Sequence, residues 1–222
     1  LISMQPAGMV ASLAEIIRRA LRETGLQKVI GRQSCPGACI PSAGGGVESS
    51  EELALLGHLL GDGFTLPRHA IQYTTHDRDL ADVVQALASA VFGDAVEVRI
   101  KQERTWFQVY LSSTRHHTHG VRSAVSEWLE RLGGWGLRSH EKHVPEAVYR
   151  HDEKGIATFL RHLWATDGCA RLRGGKKVYP AVYYATSSER LGRDVQALLL
   201  RVGIVARLAR VPQGSKGRDQ LH

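Results

Sequence analysis

No stretch of the 222 residues stays apolar for the ~20 positions a bilayer span requires. The most apolar tract, residues 80–98, is broken by Asp82, Gln85 and Asp94, which excludes a membrane enzyme. The first twenty residues lack the basic-then-apolar order of a secretory leader. Cysteine is scarce too, and an odd count of three suits a reducing compartment better than a secreted disulfide framework. A cytoplasmic protein, nucleoid-associated if its partner is DNA, is expected. With 43% apolar and 23% charged residues, a chain of this length buries a sizeable core in one or two domains, so disorder is excluded as well. Negative charge is in short supply: 22 acidic against 29 basic residues gives a net +7. The sequence pI near 9.6 points to a polyanionic partner, nucleic acid first, with a merely basic soluble protein as the plain alternative.

Residues 1–25 read as an amphipathic helix, with Leu13, Ile16, Ile17, Ala20 and Leu21 at helical spacing, Ser12 and Glu15 as a capping box and Gly25 as its stop. Residues 33–46, rich in Ser, Pro, Gly and Cys, form a linker. Cys35 and Cys39 lie in it at C-x3-C spacing, but no second pair follows, so loop thiols outweigh a zinc knuckle. The expected division is an extension over 1–48, a first half over 49–140 and a second half over 141–222.

Two halves are expected because the chain repeats itself. Tyr73, Thr75, Leu80, Val84, Gln85, Ala86 and Leu87 recur at Tyr184, Thr186, Leu191, Val195, Gln196, Ala197 and Leu198, all at one offset of 111 residues (184 − 73). Each copy follows an apolar helix ending in Asp-Gly, one over residues 55–63 and one over residues 160–168. In the first half the pattern predicts a strand pair ending at His76, then a helix over 77–92 with Leu80, Val83, Val84 and Leu87 inward. Alternating strands over 96–101 and 106–112 and a helix over 121–132 follow. The second half repeats the strands, then a helix over 188–202 and a strand over 206–211. One sheet face is expected dry, the other polar and basic.

A helix C-terminus carries partial negative charge, so an Asp there is unfavourable, and this sequence places one there twice. A lone Asp-Gly is ordinarily just a helix end before a glycine cap. Duplication favours a second reading, in which the halves pack through these helices and bring Asp62 and Asp167 together as a Mg²⁺ site for phosphodiester cleavage. The polar strand faces then hold DNA. Candidates are Arg68, Gln72, Arg99, Lys101, Gln108 and Tyr110 in the first half and Arg171, Arg173, Lys177 and Tyr183 in the second, since Arg, Lys and Gln pair with base edges.

These paired nine-residue segments resemble the motifs of LAGLIDADG homing endonucleases. With Lys142-His143-Val144-Pro145 ahead of the second, the wording is similar to the intein-borne branch found in replicative DNA helicases, and the resemblance covers residues 49–222. It implies a monomeric α+β fold, a pseudo-twofold pair of αββαββ(α) halves joined through two central helices. It also implies a staggered double-strand cut at a long asymmetric DNA site with Mg²⁺, for which Ca²⁺ or Mn²⁺ can substitute. By that resemblance Asp62 and Asp167 bind metal, the backbone carbonyls of Gly61 and Thr166 add oxygen ligands, and Lys142 helps polarise the attacking water. Lys216 is the loose counterpart in the second half. The family favours a small residue at the third motif position; Gly57 conforms and His162 departs, which implies a wider or polar crossing there. His58 and His162 are read as interface histidines rather than metal ligands, and His116, His117 and His119 as a solvated turn. The rival function is the same fold without cleavage, as a DNA-binding regulator or an RNA maturase.

Overall fold

The structure, a computed structural model, describes residues 49–114, 122–173, 179–212 and 219–221. The expected N-terminal helix and linker, Cys35 and Cys39, the three-histidine segment, Lys177 and Lys216 lie outside the described residues. The chain divides into two compact units, Leu1–Ser42 with Cys169–Tyr183, and Ala43–Gly168 with Tyr184–His222. No helix among the described residues is long and apolar enough to cross a membrane.

The larger unit is built on two helices. Helix α1 (Ser50–Asp62) starts at a capping box in which Ser49 Oγ accepts from the Glu52 N–H and the Glu52 carboxylate accepts from the Ser49 N–H. Every residue from Leu53 to Leu60 is buried, so α1 is surrounded on all sides. Strands β1 (Gly63–Phe64) and β2 (Ile71–Thr75) follow, then helix α2 (Arg78–Phe92), a 3-10 turn at Gly93–Ala95, strands β3 (Val96–Glu103) and β4 (Trp106–Ser113) and helix α3 (Ala124–Arg131). The four strands form an antiparallel sheet in the order β1-β2-β4-β3.

Period-2 alternation decides which sheet face is dry. Ile71, Tyr73, Val109, Leu111 and Val96 are buried, and α2 lies against them. The buried stripe of α2 is Ala81, Val84 and Ala88; Leu80 and Leu87 are only partly covered, and Val83, expected inside, is 37% exposed. The reason is size. Two alanines at i and i+7, with Val84 between them at i+3, make a narrow stripe against the sheet, and bulkier residues are left to flank the contact.

After α3 the chain runs through an irregular stretch and the single turn α4 (Glu146–Tyr149) into the second central helix, α5 (Glu153–Asp167), capped by Asp152. Beyond it come β5 (Gly168–Arg173), β6 (Tyr179–Tyr184), helix α6 (Glu189–Arg201), β7 (Arg210–Pro212) and β8 (Asp219–Leu221). Strands β5 and β6 form one two-stranded sheet and β7 and β8 another. The mixed helix and sheet fold agrees with the expectation from the sequence.

The repeat is physical. Thr75 and Thr186 are buried and each hydroxyl accepts from a helix N-cap amide, Asp77 and Ser188 respectively. Gln85 donates to the Val98 carbonyl at 3.2 Å, and Gln196 donates to the Ala206 carbonyl at 2.8 Å. The strand expected over 206–211 begins only at Arg210. Residues 204–209 keep an alternating burial pattern but belong to no described ladder; a glutamine side chain takes the Ala206 carbonyl.

Candidate active site

Helices α1 and α5 pack along each other through glycine. A Cβ added to Gly57 would sit 2.8 Å from the Leu163 nitrogen and 2.9 Å from the Phe159 oxygen; one added to Gly61 would sit 2.0 Å from Thr166 Oγ1. Two glycines four residues apart thus mark the seam of α1. His162, which takes the place of a small residue, lies with its Cβ 3.0 Å from that Gly57 position, and its Nδ1 is 3.0 Å from His58 Nε2. The crossing is therefore polar, as expected, and both residues are interface histidines.

Burial, and secondarily His162, lowers the His58 pKa to about 3; burial, then Arg161, lowers that of His162 to about 4. Both rings are neutral in the fold and chargeable once unfolded, so their contribution to stability is present above about pH 6.5 and drains away below it. Asp62 acts in the opposite sense in the same range, because its carboxyl is neutral more readily in the fold than outside it. The double variant His58→Leu/His162→Ala should lose the histidine part alone. Its melting temperature should gain on wild type by several degrees as pH falls from 6.5 to 4.5, and parallel pH profiles would refute the neutral pair.

The two central helices end alike. Asp62 and Asp167 are the last helical residues, followed by Gly63 and Gly168 in extended backbone with their N–H groups bonded to the Leu59 and Trp164 carbonyls. Neither last turn carries a basic residue. The missing cation is supplied from far along the chain: Lys142 Nζ donates to the Gly61 carbonyl at 2.6 Å and to the Gly63 carbonyl at 3.2 Å. Lys142 is itself held in place. Its carbonyl accepts from the buried Ser188 hydroxyl at 2.6 Å, and the next amide but one, Val144 N–H, donates to Asp194 at 2.9 Å.

The electrostatics agree with one shared site. Burial first, then Asp167, raises the Asp62 pKa to about 6 against the pull of Lys142. Asp167 is more open to solvent, but its surroundings still raise its pKa, again against Lys142. Burial lowers Lys142 while both aspartates oppose that shift.

Two desolvated carboxylates against one ammonium leave a deficit of positive charge, and the donors available are oxygens, which suits a hard divalent ion. Among the described residues no group of three or more His, Cys, Asp or Glu side chains is placed to hold a metal. Such an ion would therefore take one or two carboxylates and fill its shell with carbonyl, water and phosphate oxygens, the usual habit of Mg²⁺. The Gly61 carbonyl, expected as a ligand, is the one to which Lys142 donates; the Thr166 hydroxyl donates to the Leu163 carbonyl at 2.6 Å.

The outward sheet face gathers the first-half DNA candidates in order. Phe64, Gln72, Tyr110 and Arg99 make one cross-strand row, and Thr74, Gln108 and Lys101 the next. The Tyr110 hydroxyl donates to Gln108 at 2.5 Å. The face is not basic, however: Glu97 lies 3.6 Å from Arg99 and Glu103 lies 2.5 Å from Lys101, so two cations meet two carboxylates. The cause is the same alternation that put the cations there, since residues two apart along β3 share a face. Arg68 is exposed at φ 66° in the β1–β2 connection. Arg171 and Arg173 lie on β5 and Tyr183 on β6, all in the smaller unit. Ser188 and Asp194, which fix the approach to Lys142, escape a sequence reading; Ser188 carries only the signal of a helix cap.

Residues 154–222 match the family described as LAGLIDADG-like domain. The fold aligns with that of the homing endonuclease I-DmoI, in a mesophilic variant and in a complex with DNA and Mn, each at a TM-score of 0.51 and 14% identity. Those alignments cover 78% of this chain and 87% and 88% of the I-DmoI chains. The chain therefore carries a LAGLIDADG-like domain and has the LAGLIDADG homing-endonuclease fold. In sequence it is similar to replicative DNA helicase DnaB of Rhodothermus marinus, 58% identical over 183 residues, and to DnaB of Synechocystis sp., 55% identical over 174 residues. These matches cover 82% and 78% of this chain but only 19% and 20% of the helicases' length.

Proposed function

We propose that this chain is an intein-borne homing endonuclease that makes a staggered, metal-dependent double-strand cut at a long asymmetric site in DNA, acting as a monomer of two halves. The observation that carries the reading is the meeting of Asp62, Asp167 and Lys142 at the adjoining ends of α1 and α5. The intein reading is supported by similarity to a segment that makes up about a fifth of each of two replicative DNA helicases. The divalent ion, Mg²⁺ with Mn²⁺ or Ca²⁺ in its place, would supply an activated water and neutralise charge on the scissile phosphate.

The chain's own part is electrostatic. Asp62 and Asp167 supply the negative oxygens that hold cations, one for each strand. Lys142, lowered by burial and fixed through Ser188 and Asp194, places an ammonium where negative charge develops. Phe64, Gln72, Tyr110 and Arg99 read base edges along one sheet row, with Arg68 beside them in the first half; Arg171, Arg173, Lys177 and Tyr183 are the second half's own candidates for DNA contact. Lys216 remains the proposed counterpart of Lys142 in the second half.

The test is cleavage of a plasmid carrying the uninterrupted helicase sequence. Linear product with Mg²⁺, none with EDTA, and roughly a hundredfold slower cutting by Lys142→Met are expected. Tight, metal-independent binding without nicking would overturn the enzyme reading in favour of a DNA-binding regulator.

A further inference from the structure

Four buried side-chain atoms among the described residues have no hydrogen-bond partner: His58 Nδ1, the Tyr73 hydroxyl, Trp164 Nε1 and the Tyr184 hydroxyl. They are not scattered. His58 stands four residues before Asp62 on α1 and Trp164 three residues before Asp167 on α5. Tyr73 meets the His58 ring edge-on at 5.4 Å, and Tyr184 meets the Trp164 ring at 5.5 Å. The orphaned polar atoms thus gather along the last turns of the two helices that end in the aspartates.

The two tyrosines are related by the repeat, and their surroundings repeat as well. Tyr73 pairs in register with Gly63, the residue after Asp62. Tyr184 precedes Ala185, whose N–H donates to the Asp167 carbonyl. Exposure is 0% for Tyr73 and 6% for Tyr184. Burial first, then the aspartate of the same half, pushes each phenol's pKa well up, with the other aspartate acting in the same direction. Both hydroxyls are therefore protonated donors in the field of two carboxylates. Thr75 acts on Tyr73 and Thr166 on Tyr184 in the opposite sense, as neighbouring hydroxyls, but neither completes a hydrogen bond to the phenol. A phenylalanine would fill either position without leaving a buried hydroxyl unsatisfied, a cost to stability that the fold bears twice at equivalent places.

We propose that Tyr73 and Tyr184 are positioning residues, each hydroxyl holding the aspartate of its own half, Asp62 or Asp167, in the orientation that binds the divalent ion. This rests on the endonuclease reading. In this structure the hydroxyls make no such bond; with a divalent ion held by Asp62 and Asp167, each tyrosine would donate to the carboxylate of its own half. Partners of this kind set the basicity and direction of a ligand without touching the metal.

The experiment compares wild type with Tyr73→Phe, Tyr184→Phe and the double variant. Ca²⁺ binding is followed by calorimetry, melting is measured in EDTA, and strand-resolved nicking is measured with Mg²⁺ on the uninterrupted-site plasmid. Each single variant is expected to bind Ca²⁺ about tenfold more weakly. Each should slow the cutting of one strand, a different strand for each tyrosine, and melt at or above the wild-type temperature. If wild type binds Ca²⁺ and cuts while the phenylalanine variants bind Ca²⁺ equally well, the positioning role is wrong and the endonuclease reading stands, whether or not the variants melt lower. If wild type neither binds Ca²⁺ nor cuts, the endonuclease reading fails and the positioning role goes with it.

Discussion

Asp62→Asn and Asp167→Asn should each slow cutting roughly a thousandfold, as a lost ligand removes several kcal/mol of charge stabilisation, and yet melt above wild type in metal-free buffer at pH 8. The second half of that expectation follows from the site's electrostatics. A carboxyl whose pKa is raised by the fold is penalised in its charged form, so ionised Asp62 costs stability at every pH above about 6. The penalty shrinks as pH falls through 6 and is gone below the unfolded value near 3.8. An amide has the same shape and no charge. After allowance for solvent screening, the gain for Asp62→Asn is about 1–2 kcal/mol at pH 8, or roughly 2–8 °C, and close to nothing at pH 4. Ca²⁺ should invert the order, because an ion at a hundred times its Kd adds about 2.7 kcal/mol to the protein that binds it. Scanning calorimetry at pH 8 and pH 4, with EDTA and with Ca²⁺, checks all three statements. An asparagine variant that melts below wild type in EDTA at pH 8 would show that the carboxylates are structural rather than held in readiness for a cation.

That exchange of stability for readiness explains which parts of the molecule can be read from its sequence. The central helices, the two aspartates at their ends and the strands of the first half follow from period-3.6 and period-2 patterns; the helix ends agree within one residue, while the observed helices start five and seven residues before the apolar segments at 55–63 and 160–168. The repeat also predicts that the two central helices meet, but it does not give the individual contacts between residues far apart in the chain. The His58–His162 pair spans 104 residues, the Lys142 bond to Gly61 spans 81 and the Ser188 bond to Lys142 spans 46. No local pattern encodes any of them. Lys142 was reachable through family resemblance alone, whereas Ser188 and Asp194, which hold it, had no such aid. The neutral sheet face was legible in principle: Glu97 and Glu103 flank Arg99 and Lys101 at two-residue spacing, and only the extension of β3 to Glu103 was missing. The exposed Val83 and the narrow Ala81, Val84 and Ala88 stripe of α2 show the opposite case, in which the hydrophobic pattern is right but the contact depends on volume.

Volume also decides the stability prediction of greatest size, Gly57→Ala. By helix propensity alone this change should stabilise α1 by about 0.5–1 kcal/mol. Packing reverses the sign. The new Cβ would lie 2.8 Å from the Leu163 nitrogen and 2.9 Å from the Phe159 oxygen, both main-chain atoms of α5 that no rotamer can move. The helices must separate, at a cost of about 3 kcal/mol or more, which for a chain of this length lowers the melting temperature by roughly 6–12 °C. Gly61→Ala meets a side chain instead, with Thr166 Oγ1 at 2.0 Å and its Cβ and Cγ2 at 2.6 Å. That variant should therefore be rescued in part by Thr166→Gly, while Gly57→Ala is not rescued by His162→Ala, because the obstacle at Gly57 is backbone. The loss reaches function as well as stability. Asp62 and Asp167 share a site only because their helices approach this closely, so separating them should weaken Ca²⁺ binding in Gly57→Ala even at temperatures where the variant is fully folded. A Gly57→Ala protein that melts at or above wild type and binds Ca²⁺ normally would mean that the helices do not meet at these glycines, and the pairing of the carboxylates would lose its structural basis.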